Sequence, residues 1–94
     1  MDFEEAHKVL TAELAMYRSL AYQQLCDLVG APKKTIEVVG ASGARYYVDT
    51  YAAWDGKPNS DVRVCGLIDD GGWRAFVPLS IVFVMEPDGT IHEG

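Results

Sequence analysis

The side chains that could do chemistry are few in this sequence and widely spaced. Two segments rich in turn-forming residues contain the aspartates Asp55, Asp61, Asp69 and Asp70. Their spacing does not give the alternating oxygen ligands of an EF-hand, and an antiparallel meander would place the two segments at opposite ends of its sheet. We interpret these aspartates as turn residues, and we expect neither a metal nor another cofactor.

The histidines and cysteines form no recognised catalytic pattern. His7 and His92 are the two histidines, and Cys26 and Cys65 occupy core-type positions without the spacing of a zinc or redox pair. We expect reduced core cysteines and exposed histidines. Because no Ser-His-Asp arrangement is suggested either, we predict no catalytic residue. The sequence leaves open whether the protein is an enzyme.

The composition is that of an acidic globular domain. The 94 residues carry 14 acidic and 8 basic side chains, which gives a net charge of −6, and 49% of them are apolar. This length supports one modest core, so we predict a single domain over residues 1–94. The negative charge argues against DNA binding and disfavours RNA binding.

The sequence shows neither a signal peptide nor a membrane span, and both observations bear on where the protein resides. Residues 1–5 lack the basic and apolar regions of a signal peptide, and no apolar run reaches the ~18 residues of a membrane span. We therefore expect a cytoplasmic protein with no membrane contact.

Residues 2–30 are predicted to be helical, because apolar side chains recur at spacings of three and four. This stripe consists of Phe3, Ala6, Leu10, Leu14, Tyr17, Ala21, Leu25 and Leu28. An unbroken helix of this length would reach about 40 Å, whereas strands of eight or nine residues reach about 28 Å. We therefore predict a bend or break near Ser19, with Ser19 capping a second helix over about 20–29, and a stop at Gly30 and Pro32.

Residues 34–78 are predicted to form an antiparallel sheet. A hairpin loop at 40–43, with Gly43 at a positive φ, joins the first two strands, and a three-residue loop would place Glu37 opposite Arg45. The second strand alternates strictly, with Tyr46, Val48 and Thr50 on the face that meets the helix. Asp70-Gly71 predicts a tight hairpin between 62–68 and 73–77, with Ile68 opposite Trp73 and Trp73 in the core.

Residues 79–92 are predicted to form a carboxy-terminal segment and hairpin. The turn signal at 86–89 would pair about 82–85 with 90–92, either extending the sheet or folding across its open face. Whether 79–85 is a strand or an irregular segment stays open. The fold predicted is α+β, a helix on a meander sheet of four to six strands.

The segment 70–76, DGGWRAF, followed by Pro78-Leu79-Ser80 and later by Pro87-Asp88-Gly89, resembles a group of small bacterial proteins of uncharacterised function. The resemblance covers residues 17–89. It implies no activity.

One surface is a candidate for function, the sheet face away from the helix, where aromatic and arginine side chains alternate. Its candidate interaction residues are Arg45, Tyr47, Tyr51, Leu67, Arg74 and Phe76. Tyr51, Cys65 and Phe76 are expected to form one cross-strand row. Such a composition is typical of protein interfaces, although a partly solvated sheet face is the alternative.

Three hypotheses follow from this face. The first is a non-catalytic interaction domain that forms a homodimer or binds a protein partner. The second is a small-molecule binder or small enzyme with a pocket between the sheet and the carboxy-terminal segment. The third is an RNA platform that stacks bases on Tyr47, Tyr51 and Phe76. The net charge argues against the third.

Overall fold

The computed structural model describes residues 2–72 and 79–94, and within these ranges two helices lie on one face of a five-stranded antiparallel sheet. The helices are α1 (Phe3–Arg18) and α2 (Tyr22–Leu28). The strands are β1 (Lys34–Val39), β2 (Arg45–Asp55), β3 (Asp61–Asp69), β4 (Leu79–Met85) and β5 (Ile91–Glu93), and they are adjacent in that order. The predicted α+β fold is confirmed.

The helical segment breaks where it was predicted to break, but the role predicted for Ser19 is wrong. The Ser19 hydroxyl donates to the Met16 carbonyl at 2.7 Å, so it ends α1 instead of starting α2. Ala21 precedes α2, and its N–H donates to the Gln24 side chain at 2.8 Å. Gly30 has the positive φ expected of a helix stop. Within the described ranges neither helix is long and apolar enough to cross a membrane.

Most of the predicted helix stripe packs on the sheet. Ala6, Leu10, Leu14 and Leu25 are fully buried, in contact with the inward residues of β2, β3 and β4. Two residues of the predicted stripe are exposed. Phe3 is 62% exposed because it opens α1 beyond the edge of the core, and Ala21 is exposed because it lies in the break between the helices.

The predicted faces of β1 and β2 are confirmed, although their register is wrong by one residue pair. Gly40 pairs with Ala44 and Val38 with Tyr46, so Glu37 lies opposite Tyr47 and not Arg45. The three-residue loop contains residues 41–43, and Gly43 has the positive φ that was predicted. The faces are unchanged because the partner of Glu37 is two residues from the predicted one, and side chains alternate with a period of two.

The predicted partner of β3 is wrong. β3 pairs with β2 on one side and with β4 on the other, Ile68 lying opposite Leu79 and Cys65 opposite Val82. Both edges of β3 are therefore occupied, by β2 and by β4. The proposed strand 73–77 itself, including Trp73, lies outside the described residues. The run Leu79–Met85 is apolar on both faces, which suits a strand with neighbours on both sides.

The last hairpin extends the sheet. Met85 pairs with Ile91 and Val84 with His92, which selects one of the two arrangements that the sequence left open. Arg18 at the end of α1 reaches over this hairpin, with its guanidinium 4.6 Å from the Phe83 ring centre and 2.6 Å from Glu93. These contacts hold the carboxyl end of α1 on β4 and β5.

Candidate interaction face

The candidate surface is the sheet face away from α1 and α2, called here the open face. In β2 the buried residues Tyr46, Val48 and Thr50 alternate with Arg45, Tyr47 and Tyr51. The same alternation holds in the next strands. The open-face residues of the three central strands are Arg45, Tyr47, Asp49, Tyr51, Ala53, Asp55, Asp61, Arg63, Cys65, Leu67, Asp69, Ser80, Val82 and Val84.

Four of the six candidate residues lie on this face. Arg45 and Tyr51 are exposed, whereas Tyr47 and Leu67 are half-buried. Arg74 and Phe76 lie outside the described residues. β2 alone therefore carries three of the five aromatic and basic residues in the candidate set, on the face where the strict alternation predicted them.

A cross-strand row runs through the centre of the open face. Tyr51 lies opposite Cys65, and Cys65 lies opposite Val82, which occupies the place that the sequence analysis gave to Phe76. Tyr51 is 40% exposed and Cys65 only 5% exposed. Hydrogen bonding with the Cys65 side chain raises the pKa of Tyr51 above its usual 10.0, so the phenol stays neutral. The centre of the face is thus an uncharged aromatic and aliphatic strip.

Sequence reasoning missed Val82 and Val84. Both lie on the open face half-buried, beside Cys65 and Arg63 respectively. The available signal was the set of β-branched residues at 81, 82 and 84. It was assigned to a separate carboxy-terminal segment because the Asp70-Gly71 turn favoured another neighbour for β3.

The charged side chains around this strip are paired with one another. Arg45 lies 3.7 Å from Glu37, Arg63 lies 3.6 Å from Asp55, and Lys33 lies 3.3 Å from Asp49. Asp49 also accepts a hydrogen bond of 2.6 Å from Thr35. Exposed pairs of this kind contribute little to stability, but they neutralise Arg45, Arg63 and Lys33, while Asp61 and Asp69 at the two ends of β3 leave the described part of this face with more carboxylates than cations.

A depression of about 570 Å³ lies in the open face at the carboxy-terminal end of β2. Its wall includes Tyr51, Arg63, Cys65, Val82 and Gly94. The Gly94 N–H donates to the Val82 carbonyl at 2.9 Å, which brings the last residue beside the central row. This volume is within the range of small-ligand sites, although the depression is shallow and open to solvent.

The remaining reactive side chains are dispersed. Cys26 and Cys65 are free thiols, one in α2 and one on the open face. His7 lies on α1, whereas His92 on β5 contacts Glu86, which raises the pKa of His92 by hydrogen bonding. Asp55 pairs with Asp61 at one end of the sheet and Asp69 with Tyr47 at the other, as predicted. Within residues 2–72 and 79–94 no three His, Cys, Asp or Glu side chains are placed to hold a metal.

Comparisons with protein-family models, with curated proteins and with solved structures find no match for this chain.

Proposed function

We propose that this protein is a non-catalytic interaction domain that forms a homodimer through its open face. The observation that carries the proposal is the uncharged strip of Tyr51, Cys65 and Val82, bordered by charged pairs and left uncovered by α1 and α2. An apolar centre with a polar rim is the usual anatomy of a protein interface, and a tyrosine near the centre is a common anchor.

A second copy is the occupant that the charges favour. The chain has a net charge of −6, so two copies repel unless opposite charges meet at the contact. Arg45 with Glu37 and Arg63 with Asp55 give the rim both signs. In a dimer with a two-fold axis, the arginines of each rim would lie against the more numerous carboxylates of the partner's face, and this attraction would offset the repulsion between two acidic chains.

The experiment places a carboxylate in the centre of the strip. The double variant Tyr51→Glu, Val82→Glu desolvates two unpaired charges on association, which costs about 3 kcal/mol or more and weakens a dimer at least about a hundredfold. Sedimentation velocity over a concentration series measures the association. The Phe76→Glu change would serve the same purpose only if Phe76 belonged to this strip, and Phe76 lies outside the described residues.

Met16→Glu is the matched control, because Met16 is a 52% exposed apolar residue on α1, on the other side of the sheet. It should leave the mass unchanged. A parent protein that is monomeric over the whole series, with no effect of the double variant, would remove the proposal. Unfolding of the double variant would show that the strip is covered within one chain, and would remove it too.

A small-molecule binder is the second candidate function, and the depression beside Tyr51 and Gly94 favours it. Arg63 and its ion-pair partner Asp55 both line this depression, so the ligand would be a small molecule with an apolar body and a polar group that can bond to this pair. Native mass spectrometry of the purified protein detects such a ligand directly. Because the depression lies within the proposed interface, a bound ligand should also shift the dimer towards monomer.

RNA binding receives the least support. Arg45 and Arg63 each lie within 3.7 Å of a carboxylate, so their charge is already neutralised on the face where phosphates would have to bind. The resemblance to small bacterial proteins of uncharacterised function adds no activity to these proposals.

A further inference from the structure

β1 is a long sheet edge with little protection. Within the described ranges it pairs only with β2, and the six pairs from Lys34–Thr50 to Val39–Arg45 run without a bulge. β1 contains no proline. The opposite edge, β5, is only three residues long. Natural sheets usually blunt their edges by shortness, bulges, proline or charged side chains. β1 has the charged residues Lys34 and Glu37 but none of the other features, so it is the edge better suited to receive another strand.

The backbone groups available at this edge can be identified from the register. The Gly40 N–H donates to the Ala44 carbonyl at 2.8 Å. Hydrogen-bonding direction alternates along an antiparallel strand, so Ile36 and Val38 direct their backbone groups towards β2. Thr35, Glu37 and Val39 therefore direct their N–H and C=O groups away from the sheet, at the spacing that an added strand requires.

A groove of about 580 Å³ lies over this edge on the helix side of the sheet. Val9, Ala12 and Val38 supply apolar lining, and Val9 and Val38 are half-buried. The groove is lined by Asp2, Glu4, Glu5, Lys8, Val9, Ala12, Glu13, Val38 and Ala41. A strand added to β1 would direct every second side chain to this side of the sheet.

The charges that line the groove favour a cationic occupant. Its lining has four carboxylates and one ammonium group. Glu5 is bonded to Ser42 and Tyr46, and Glu4 lies 3.8 Å from Lys8. Glu13 is half-buried, and within residues 2–72 and 79–94 it has no hydrogen bond or ion pair. A lysine or arginine on the incoming segment would give it a partner.

We propose that the β1 edge binds an extended cationic segment of another protein by strand addition. The segment's backbone bonds to Thr35, Glu37 and Val39, and its alternate side chains, apolar and basic in turn, lie over the groove with one cation at Glu13. Backbone bonding supplies affinity and the groove supplies the preference for side chains. This inference concerns the edge and helix side of the sheet, and it does not depend on the open face.

The probe is a synthetic peptide, acetyl-KTVTRTVTK-amide, whose alternate positions are basic or valine. Its acidic counterpart, acetyl-ETVTETVTE-amide, is the control ligand. Titration followed by amide NMR should show binding of the basic peptide, with slower hydrogen exchange at Thr35, Glu37 and Val39. The acidic peptide should not bind.

Glu37→Pro removes one outward N–H and leaves the bonds to β2 intact. This variant should bind the basic peptide at least about tenfold more weakly, or by about 1.4 kcal/mol. The melting temperature of the protein should not fall. Glu37→Ala, which keeps the N–H, should bind like the parent. Glu13→Gln should weaken binding about two- to fivefold, as expected for a surface ion pair, and reduce its salt dependence.

Several outcomes would overturn the proposal. These are equal binding of both peptides, equal binding by Glu37→Pro and Glu37→Ala, or shifts confined to the open face. A parent dimer that Glu37→Pro dissociates and Glu37→Ala does not would identify the occupant as a second copy of this chain, because Glu37→Ala removes the side chain of the open-face rim but keeps the outward N–H. If the double variant Tyr51→Glu, Val82→Glu still binds the basic peptide, the edge site does not require the open face. Loss of peptide binding in this variant would contradict the proposal that the edge is the site.

Discussion

The Tyr46 phenol donates a hydrogen bond of 2.7 Å to the Glu5 carboxylate, and this bond joins the first turn of α1 to the start of β2. Glu5 also accepts from the Ser42 hydroxyl at 2.7 Å and the Ser42 N–H at 2.9 Å. These bonds, with those from Ser42 and Tyr46 leading, lower the pKa of Glu5 below 4.5. One carboxylate thus holds the helix, the hairpin loop and a core tyrosine together.

The first prediction concerns acid. A carboxylate whose pKa is lowered by folding stabilises the protein above its unfolded pKa, and the contribution is lost as the pH falls through the folded pKa. Tyr46→Phe removes one bond, so the pKa of Glu5 should rise and the variant should unfold at lower urea concentration near neutral pH. The difference in urea midpoint between the variant and the parent should decrease as the pH falls. Tyr47→Phe, on the opposite face, is the control, and a difference independent of pH would contradict the prediction.

The second prediction concerns alkali. Hydrogen bonding to Glu5, followed by burial, raises the pKa of Tyr46 to about 12. Because this value is raised above the unfolded value of 10.0, its contribution to stability is complete below about pH 10 and is lost as the pH rises towards about 12. The tyrosinate titration of the parent minus that of Tyr46→Phe should leave one component, the ionisation of Tyr46 near pH 12. Glu5→Gln should move that component to lower pH, and an unmoved component would assign the shift to burial alone.

The third prediction concerns Gly66, where α1 crosses β3. A Cβ at this position would lie 2.9 Å from Leu10 Cδ1 and 3.0 Å from Leu14 Cδ2, both fully buried. Gly66→Ala should therefore lower the free energy of unfolding by about 1–3 kcal/mol through overpacking, a large part of what a small domain has. Adding Leu14→Val should restore part of the loss. Ser80→Ala, on the face that no described helix covers, should have little effect in urea denaturation.

The parts of the fold that the sequence predicted correctly are those governed by local periodicity. The alternation of Tyr46, Val48 and Thr50 assigned both faces of β2, and the spacing of Leu10 and Leu14 assigned the buried side of α1. The break near Ser19 followed from the mismatch between helix and strand lengths. The role of Ser19 did not, because a serine at a helix boundary can bond backward or forward with similar ease.

The neighbour of β3 could not be decided locally. The Asp70-Gly71 signal reports how the chain turns, whereas strand pairing depends on which apolar run gains most from the free edge, here Leu79–Met85. The same distinction between local pattern and strand pairing applies to the candidate site. Arg45, Tyr47, Tyr51 and Leu67 were found from alternation, but Val82 became a member of the central row only through the pairing of β4.

The last prediction concerns Gly71, which the sequence placed at a positive φ and which has φ +73°. A β-branched residue is strained there, so Gly71→Val should lower the free energy of unfolding by about 1–3 kcal/mol through the backbone alone. A second effect adds to it, because a Cβ at this position would lie 2.6 Å from Tyr47 Cε2.

The two effects on Gly71 can be separated by measuring the same substitution in a Tyr47→Ala background. The collision is relieved there, so the loss measured by urea denaturation should be smaller than in the parent background but not zero. Gly72→Ala is the control, since Gly72 has no positive φ and its nearest atom is Asp70 Oδ1 at 3.2 Å. If Gly71→Val unfolds at the same urea concentration as the parent, the turn does not require the left-handed conformation. If the loss disappears completely in the Tyr47→Ala background, the cost comes from the ring of Tyr47 and not from backbone strain.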